Sequence, residues 1–160
     1  MENESLYTDY EFFWKGSFSQ WAKFSMTDIH GITFNCCEQY MMYKKAMLFG
    51  DDVIAAKILT ALHPREQKDL GRQVKNFDQG AWDAVKYEVV YMANLYKFTQ
   101  NPEVRVKLLE TGTKTLVEAS PYDPIWGIGL DEKAAKKIAP KDWPGQNLLG
   151  KVITSVRDIV

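Results

Sequence analysis

The sequence predicts an α+β fold: a single compact domain, mostly helical, with a small antiparallel sheet. Of the 160 residues, 46% are hydrophobic and 13% aromatic, so the chain can bury a core without disulfides or metals. Short aromatic and β-branched stretches come before residue 35, and helical patterns dominate after it. We therefore expect one domain over residues 1–160.

The sheet is predicted in the first part of the chain. Tyr10–Trp14 and Gly31–Phe34 are rich in aromatic or β-branched residues and are bounded by Gly, Ser or Asp, a pattern that favours strands and hairpins. Between them, three aromatic residues stand among polar ones. A later stretch, Lys114–Ser120, alternates enough to predict one more strand.

The helices are predicted from apolar spacing together with start and stop residues. Asp51 and Asp52 can satisfy the free amides of a helix start, and Gly50 and Gly112 can end helices. The longest pattern carries apolar residues from Trp82 to Tyr96 on one stripe, which is typical of a central core helix. The predicted helices are residues 38–49, 53–61, 64–70, 79–99, 103–110, 131–138 and 146–159.

The first helix places charged residues on its apolar side. Glu38, Met41, Met42 and Lys45 are spaced at i, i+3, i+4 and i+7, so they share one face. Surface ion pairs normally lie opposite the apolar stripe. Glu38 and Lys45 therefore either border the buried face or line a cavity.

The least regular stretch is Glu118–Leu130, which holds two carboxylates, two prolines, two glycines, a tyrosine and a tryptophan. Pro124 biases Asp123 toward an extended backbone, and Gly127 leaves the chain free to turn or to approach a ligand closely. One interpretation is a rigid turn whose Trp126 fills the core. The other is a functional loop in which a carboxylate lies beside an aromatic ring.

Other charged and aromatic residues have structural and functional interpretations that the pattern leaves open. Arg72 is either a solvated charge or an anion contact. Lys97 suits either the C-terminal end of a helix dipole or a phosphate contact, and Trp82 suits either the core or stacking on a base. The formal net charge of −1 excludes a global field that recruits nucleic acid, although a local basic pocket remains open.

Redox, metal and membrane functions are not expected. Cys36 and Cys37 are adjacent, which suits neither a structural disulfide nor a zinc site, and His30 and His63 stand alone. We find no phosphate loop and no dinucleotide fingerprint, so no cofactor or metal is predicted. The acidic N-terminus lacks a secretory pattern and no apolar run is long enough to span a membrane. We expect a cytoplasmic protein.

Over roughly Phe12–Arg157 the chain resembles the NADAR family, small proteins associated with NAD and ADP-ribose metabolism. No single segment carries the resemblance; it rests on the number, order and spacing of several. They are Phe18–Trp21, Glu38–Ala46, Leu70–Val74, Trp82, Lys97-Phe98, Leu109–Gly112, Glu118–Gly129 and Trp143–Gly150.

The resemblance implies N-glycosidase chemistry without a cofactor. Family members cleave the C1–N ribosyl bond of phosphorylated ribosylamino-pyrimidine intermediates of riboflavin biosynthesis, and others remove ADP-ribose from modified guanine. The expected partner is therefore a small phosphorylated ribosyl substrate, with ADP-ribosylated guanine in nucleic acid as the alternative. A third hypothesis is a non-catalytic module that binds ADP-ribose or a nucleotide. Two retained carboxylates argue against that module, since an anionic ligand gains little from them.

The resemblance also implies site residues. The acidic site positions of the family match Glu38 and Asp123, which we predict to be catalytic. We assign the proton to Glu38, and the tasks of stabilising the cation and orienting water to Asp123, with the reverse assignment as the alternative. The predicted substrate-binding residues are Trp126, Lys45, Trp82, Arg72, Gly127, Gln20 and Asn147.

Two departures from the family pattern bear on substrate choice. Relatives usually carry Asn-Phe where this chain has Gln20-Trp21, so the amide lies one methylene further out and the ring is larger. Cys36-Cys37 replaces the Thr and small residue common before the glutamate.

Overall fold

A computed structural model describes residues 4–160, and it confirms an α+β fold in which helices predominate and the sheets are small. The chain forms two compact units. We call Gln20–Pro102 the central unit, and the described residues up to Ser19 together with Glu103–Val160 the split unit. One domain over residues 1–160 stays a prediction.

The helices and strands follow the predicted order closely. Short 3-10 turns lie at Glu4–Tyr7 and Pro140–Asp142. In chain order the elements are β1 (Tyr10–Phe13), β2 (Met26–Thr27), β3 (Thr33–Phe34), α1 (Cys37–Leu48), α2 (Asp52–Thr60), α3 (Pro64–Gly71), α4 (Gln79–Gln100), α5 (Pro102–Glu110), β4 (Thr115–Glu118), α6 (Glu132–Ala135) and α7 (Leu148–Arg157).

The sheet pairing differs from the prediction of one antiparallel sheet between residues 10 and 34. Only β2 and β3 pair in that way, with Met26 opposite Phe34. Strand β1 instead pairs in parallel with β4, with Tyr10 opposite Thr115. The segment holding Phe18 and Trp21 forms turns and bends rather than strand, and Phe24 lies in a stretch without regular secondary structure. Strand propensity cannot identify a partner this distant in sequence, because pairing depends on tertiary packing.

Helix α1 is the packing centre of the central unit, since α2, α3 and α4 all contact it. A core cluster joins it to the small sheet, with Phe34 and Tyr40 in edge-to-face contact at 5.0 Å between ring centroids. The predicted helix start at Asp51 is confirmed, because its side chain accepts from the backbone N–H of Ile54 at 3.1 Å. The neighbourhood of Glu38 is thus set by several elements.

The split unit is built on the two-stranded parallel sheet, and α7 packs against β4. Val117, Ile128 and Ala135 form its buried cluster, with Trp143 packed on it. The apolar side of α7 is buried, and its fully buried or nearly buried side chains are Leu149, Val152, Ile153 and Val156. In residues 4–160, no helix combines the length and apolar character needed to cross a bilayer.

Candidate active site

Glu38 is a buried carboxylate in the first turn of α1, with 5% of its surface exposed. Its backbone N–H donates to the carbonyl of Gln20 at 3.0 Å. Its Oε1 accepts from the indole Nε1–H of Trp21 at 3.2 Å. The helix dipole favours a negative charge at this end, so Glu38 is a buried acid with its partners arranged around it.

A network of buried amides fixes the backbone before and around Glu38. Gln39 donates from Nε2 to the carbonyl of Ile58 at 3.0 Å and accepts at Oε1 from the N–H of Asn35 at 2.7 Å. The Cys36 thiol donates to Oε1 of Gln67 at 3.1 Å. Satisfied buried networks of this kind hold one conformation, so the start of α1 is rigid.

Both cysteines at this helix start are unreactive thiols. They are buried and free, and desolvation by burial raises the pKa of Cys36 to about 11 and that of Cys37 to about 12. Because the thiolate is the reactive form, these residues are not candidates for nucleophilic catalysis.

Gln20, whose carbonyl bonds the backbone of Glu38, carries a buried side-chain donor. Its side chain is 8% exposed, and its Oε1 accepts from Nδ2 of Asn94 at 3.0 Å. Among residues 4–160, Nε2 of Gln20 has no hydrogen-bond partner. A buried donor without an acceptor is costly in a native fold, so this amide suits a ligand oxygen.

Lys45 lies half-buried on the same helix, as its spacing predicts. Partial burial lowers its pKa, while the Glu38 carboxylate acts to raise it and Arg72 acts to lower it. Its Nζ also lies 4.7 Å from the ring centroid of Phe77, within cation–π range. Lys45 therefore carries a partly desolvated positive charge that interacts with the candidate catalytic acid.

Arg72 and Trp82 have less direct positions. Arg72 follows α3 and is mostly exposed, with a 3.8 Å ion pair to Asp69 that contributes little in solvent. Trp82 lies in the first turn of α4 and is 8% exposed, a position typical of core packing. Their contacts with substrate remain predictions.

Lys97 is fully buried in α4, with its Nζ 5.3 Å from the ring centroids of Phe24 and Phe98. Burial lowers its pKa, an effect that Cys37 and Cys36 partly oppose. A side chain sealed from solvent is poorly suited to contact a phosphate.

Asp123 lies in the Glu118–Leu130 loop and is partly buried. Its Oδ1 accepts from the backbone N–H groups of Ile125 and Trp126, both at 2.9 Å. The carboxylate thus stabilises the turn that follows it in the chain, as short acidic side chains commonly do. Only Oδ2 stands outside these two hydrogen bonds.

The remaining loop residues show why this segment is rich in glycine. A Cβ on Gly127 would lie 2.8 Å from the carbonyl of Glu118 and 2.9 Å from that of Asp123. The close approach is thus to the protein's own backbone. Trp126 next to it is half-buried, and its carbonyl accepts from the N–H of Leu149 at 3.0 Å.

Asn147 connects the strand β4 to the start of α7. Its Oδ1 accepts from the N–H of Glu118 at 2.9 Å, and its Nδ2 donates to the carbonyl of Leu116 at 3.0 Å. Its backbone is left-handed, with φ of 53°, which Asn tolerates better than most residues. The side-chain amide therefore supports the fold, and its predicted contact with substrate stays a prediction.

The structure groups the predicted residues by unit. Five of them belong to the central unit: Gln20, Glu38, Lys45, Arg72 and Trp82. The other four belong to the split unit: Asp123, Trp126, Gly127 and Asn147. In residues 4–160, no cluster of His, Cys, Asp and Glu side chains is suited to hold a metal ion.

Three contacts around this site were not predicted from the sequence. They are the Trp21 indole on Glu38, the Phe77 ring under Lys45 and the Asn94 amide on Gln20. Asn94 lies off the apolar stripe predicted for α4, so helical spacing gave no signal for its burial. The contacts of Trp21 and Phe77 come from irregular segments, which periodicity does not describe.

Comparison with known proteins gives three consistent similarities. A family model described as the NADAR domain matches residues 12–160. The chain is 46% identical over 145 residues to N-glycosidase R617 of Acanthamoeba polyphaga mimivirus, covering 88% of this chain and 85% of that protein. The NMR structure of the E. coli protein YbiA has a TM-score of 0.76 at 26% identity, covering 94% of this chain and 83% of that one.

A further similarity involves a much longer protein. The chloroplastic riboflavin biosynthesis protein PYRR of Arabidopsis thaliana is 35% identical over 105 residues, which are 63% of this chain and 16% of that protein.

Proposed function

Because this chain belongs to the NADAR family, we propose that it hydrolyses the C1–N ribosyl bond of a phosphorylated ribosylamino-pyrimidine intermediate of riboflavin biosynthesis. Similarity to proteins named N-glycosidase makes it a hydrolase acting on N-glycosyl bonds. The riboflavin part of the proposal is supported by similarity to PYRR, and the phosphate part by Lys45, whose charge interacts with that of the buried Glu38.

The observation that carries the proposal is the buried Glu38 carboxylate, with Lys45 close enough for the two charges to influence each other. Breaking an N-ribosyl bond passes through an oxocarbenium-like state, which needs nearby negative charge and a route for a proton to the departing nitrogen. Glu38 is suited to either task. The unpartnered amide of Gln20 offers a donor to the substrate.

Asp123 is the second carboxylate of the proposal. Its oxygen Oδ1 is occupied by the loop backbone, so Oδ2 is the atom that would meet the cation or the attacking water. Lys45 would bind the phosphate, with Arg72 as a second cation, and Trp126 would stack on base or sugar.

The test is direct. The purified protein is incubated separately with a ribosylamino-pyrimidine phosphate and with an ADP-ribosylated guanine oligonucleotide. Release of free base with ribose phosphate, or of ADP-ribose, is followed by chromatography. Glu103→Gln, an exposed acid in the first turn of α5, is the matched control for Glu38→Gln.

Each outcome decides between the hypotheses. Release from the pyrimidine substrate alone supports the proposal, and release from the oligonucleotide alone replaces it with the ADP-ribosyl-guanine alternative. Binding of either compound without release supports the non-catalytic module. No release and no binding would exclude both substrates.

A further inference from the structure

The dipeptide Gln20-Trp21 holds residue 38 at two points. The carbonyl of Gln20 accepts from the backbone N–H of Glu38 at 3.0 Å, and the indole of Trp21 donates to Glu38 Oε1 at 3.2 Å. One contact therefore fixes the helix start and the other fixes the side chain. The ring is still 36% exposed, so it lies where the buried acid meets the surface.

An indole N–H has a defined effect on a carboxylate. It is a donor only, and a hydrogen bond to an ionised group is shorter and stronger than one between neutral groups. The terminal torsion of Glu is otherwise broad. Fixing Oε1 sets the plane of the carboxyl group and thus the direction of Oε2, which matters for a group that must meet a reacting atom in a narrow geometry.

The indole is itself held by a second residue. The guanidinium carbon of Arg65 lies 5.8 Å from the centroid of the Trp21 ring, within range of a cation–π contact. Arg65 is the second residue of α3, an element packed against α1. The chain Arg65–Trp21–Glu38 thus connects an exposed helix end to the buried acid.

We propose that Trp21 is a positioning residue for N-glycosidic hydrolysis, in which its indole N–H orients the Glu38 carboxylate and Arg65 steadies the indole ring. The inference rests on the proposed function, because it assigns Trp21 a task only if Glu38 acts on substrate. No bond to Trp21 forms or breaks in the reaction.

The kinetic test is Trp21→Phe, which keeps an aromatic ring and removes the N–H. We expect kcat to fall about tenfold, the scale of one hydrogen bond to a charged group, with KM changed less than about twofold. Losing a donor that favours the ionised carboxylate moves an inflection of the pH–rate profile to higher pH. In a Glu38→Gln background the substitution has little further effect, because the two residues act as a unit.

Trp14→Phe is the matched control. Trp14 is also 36% exposed and also lies under a cation, with Lys15 Nζ 4.8 Å from its ring centroid. We expect kcat and the pH profile of this variant to match the wild type. Equal loss of kcat in both variants, or a Trp21→Phe enzyme with an unshifted pH profile, would overturn the proposal.

A second measurement needs neither turnover nor a folded Trp21 variant. The indole Hε1 resonance of Trp21 in the wild-type protein is followed by NMR as the pH is varied. We expect an inflection that is absent from Glu38→Gln, a variant that retains Lys45 and so separates the carboxylate from the amine.

The two measurements separate the possible failures. An Hε1 resonance that does not respond to Glu38 overturns the positioning role whatever the substrate. An inflection at Hε1 together with no hydrolysis of any N-ribosyl compound shows that the contact exists while the proposed function fails, and with it the catalytic task assigned to Trp21.

Discussion

The two predicted catalytic carboxylates are held by different means. Glu38 lies on a helix and is oriented by residues distant in sequence, through Trp21 on its side chain and Gln20 on its backbone. Asp123 lies in a loop and bonds the N–H groups two and three residues further on. The first is positioned by tertiary structure, whereas the second organises its own segment.

Because the two carboxylates are held differently, substitutions at Glu38 and Asp123 should differ in how much they affect the stability of the fold. Removing the charge of Glu38 leaves an acceptor for Trp21, so the fold loses little. Removing the oxygens of Asp123 leaves two backbone N–H groups without their acceptor, so the loop is destabilised. Substitutions that keep the acceptor and remove the charge are therefore the informative ones at both positions.

The largest effect is expected for Glu38→Gln. Turnover should fall by at least about a hundredfold, the scale of a lost general acid or base. The thermal midpoint should stay nearly unchanged, because Gln retains an oxygen for the Trp21 N–H. Steady-state kinetics and thermal unfolding, with Glu103→Gln in parallel, check both parts. Wild-type turnover would remove Glu38 from the mechanism.

A similar loss is expected for Asp123→Asn, about a hundredfold in turnover with little change in thermal midpoint, since Asn keeps the oxygen that accepts from Ile125 and Trp126. Asp123→Ala should additionally lower the free energy of unfolding by about 1 kcal/mol, because both loop contacts are lost.

Asp131→Asn provides the control for these Asp123 variants. Its Oδ1 also accepts a backbone N–H, that of Ala134 at 2.8 Å, and its turnover should match the wild type. If Asp123→Asn turns over normally and only Asp123→Ala is impaired, Asp123 has a purely structural role in the loop.

The fold was largely predictable because most of its signals are local. Asp51 and Asp131 each accept a hydrogen bond from the backbone N–H three residues later. A helix start of this kind can be recognised from a few neighbouring residues. The pairing of β1 with β4 was missed, because Tyr10 and Thr115 are far apart in the chain. The residue pattern of a strand does not indicate which other strand it pairs with.

In the candidate site too, local contacts could be predicted from the sequence and distant ones could not. The shared face of Glu38 and Lys45 follows from helical spacing, and the charge interaction between them agrees with it. The contact between Trp21 and Glu38 does not follow from any spacing. It depends on how the turns and bends after β1 bring the indole to the start of α1, which side-chain packing decides.

A smaller effect is expected at the positive charge beside Glu38. Lys45→Ala should raise KM for a phosphorylated substrate about tenfold, the scale of one charge-assisted contact, and leave KM for a dephosphorylated analogue unchanged. Burial holds the pKa of Lys45 below its usual value. Phosphate affinity should therefore be full at neutral pH and decline as pH rises through a range lower than that of an exposed lysine.

Lys44→Ala is the control for the lysine charge. Its Nζ lies 5.6 Å from the centroid of the Tyr40 ring, so it also packs against an aromatic residue of α1. Its KM should match the wild type. Equal weakening of phosphorylated and dephosphorylated substrates by Lys45→Ala would contradict a phosphate role.

The smallest effect is expected at Asn147, whose amide bonds the backbone on both sides of Val117. Asn147→Gly tolerates the left-handed backbone but loses both hydrogen bonds, so the free energy of unfolding should fall by about 1 kcal/mol in denaturant titrations. Asn76→Gly has a similar φ of 60° and isolates the backbone effect. A normal kcat/KM in Asn147→Gly at a temperature where it is folded would limit Asn147 to holding β4 against α7, whereas a raised KM there would show that its position also shapes substrate binding.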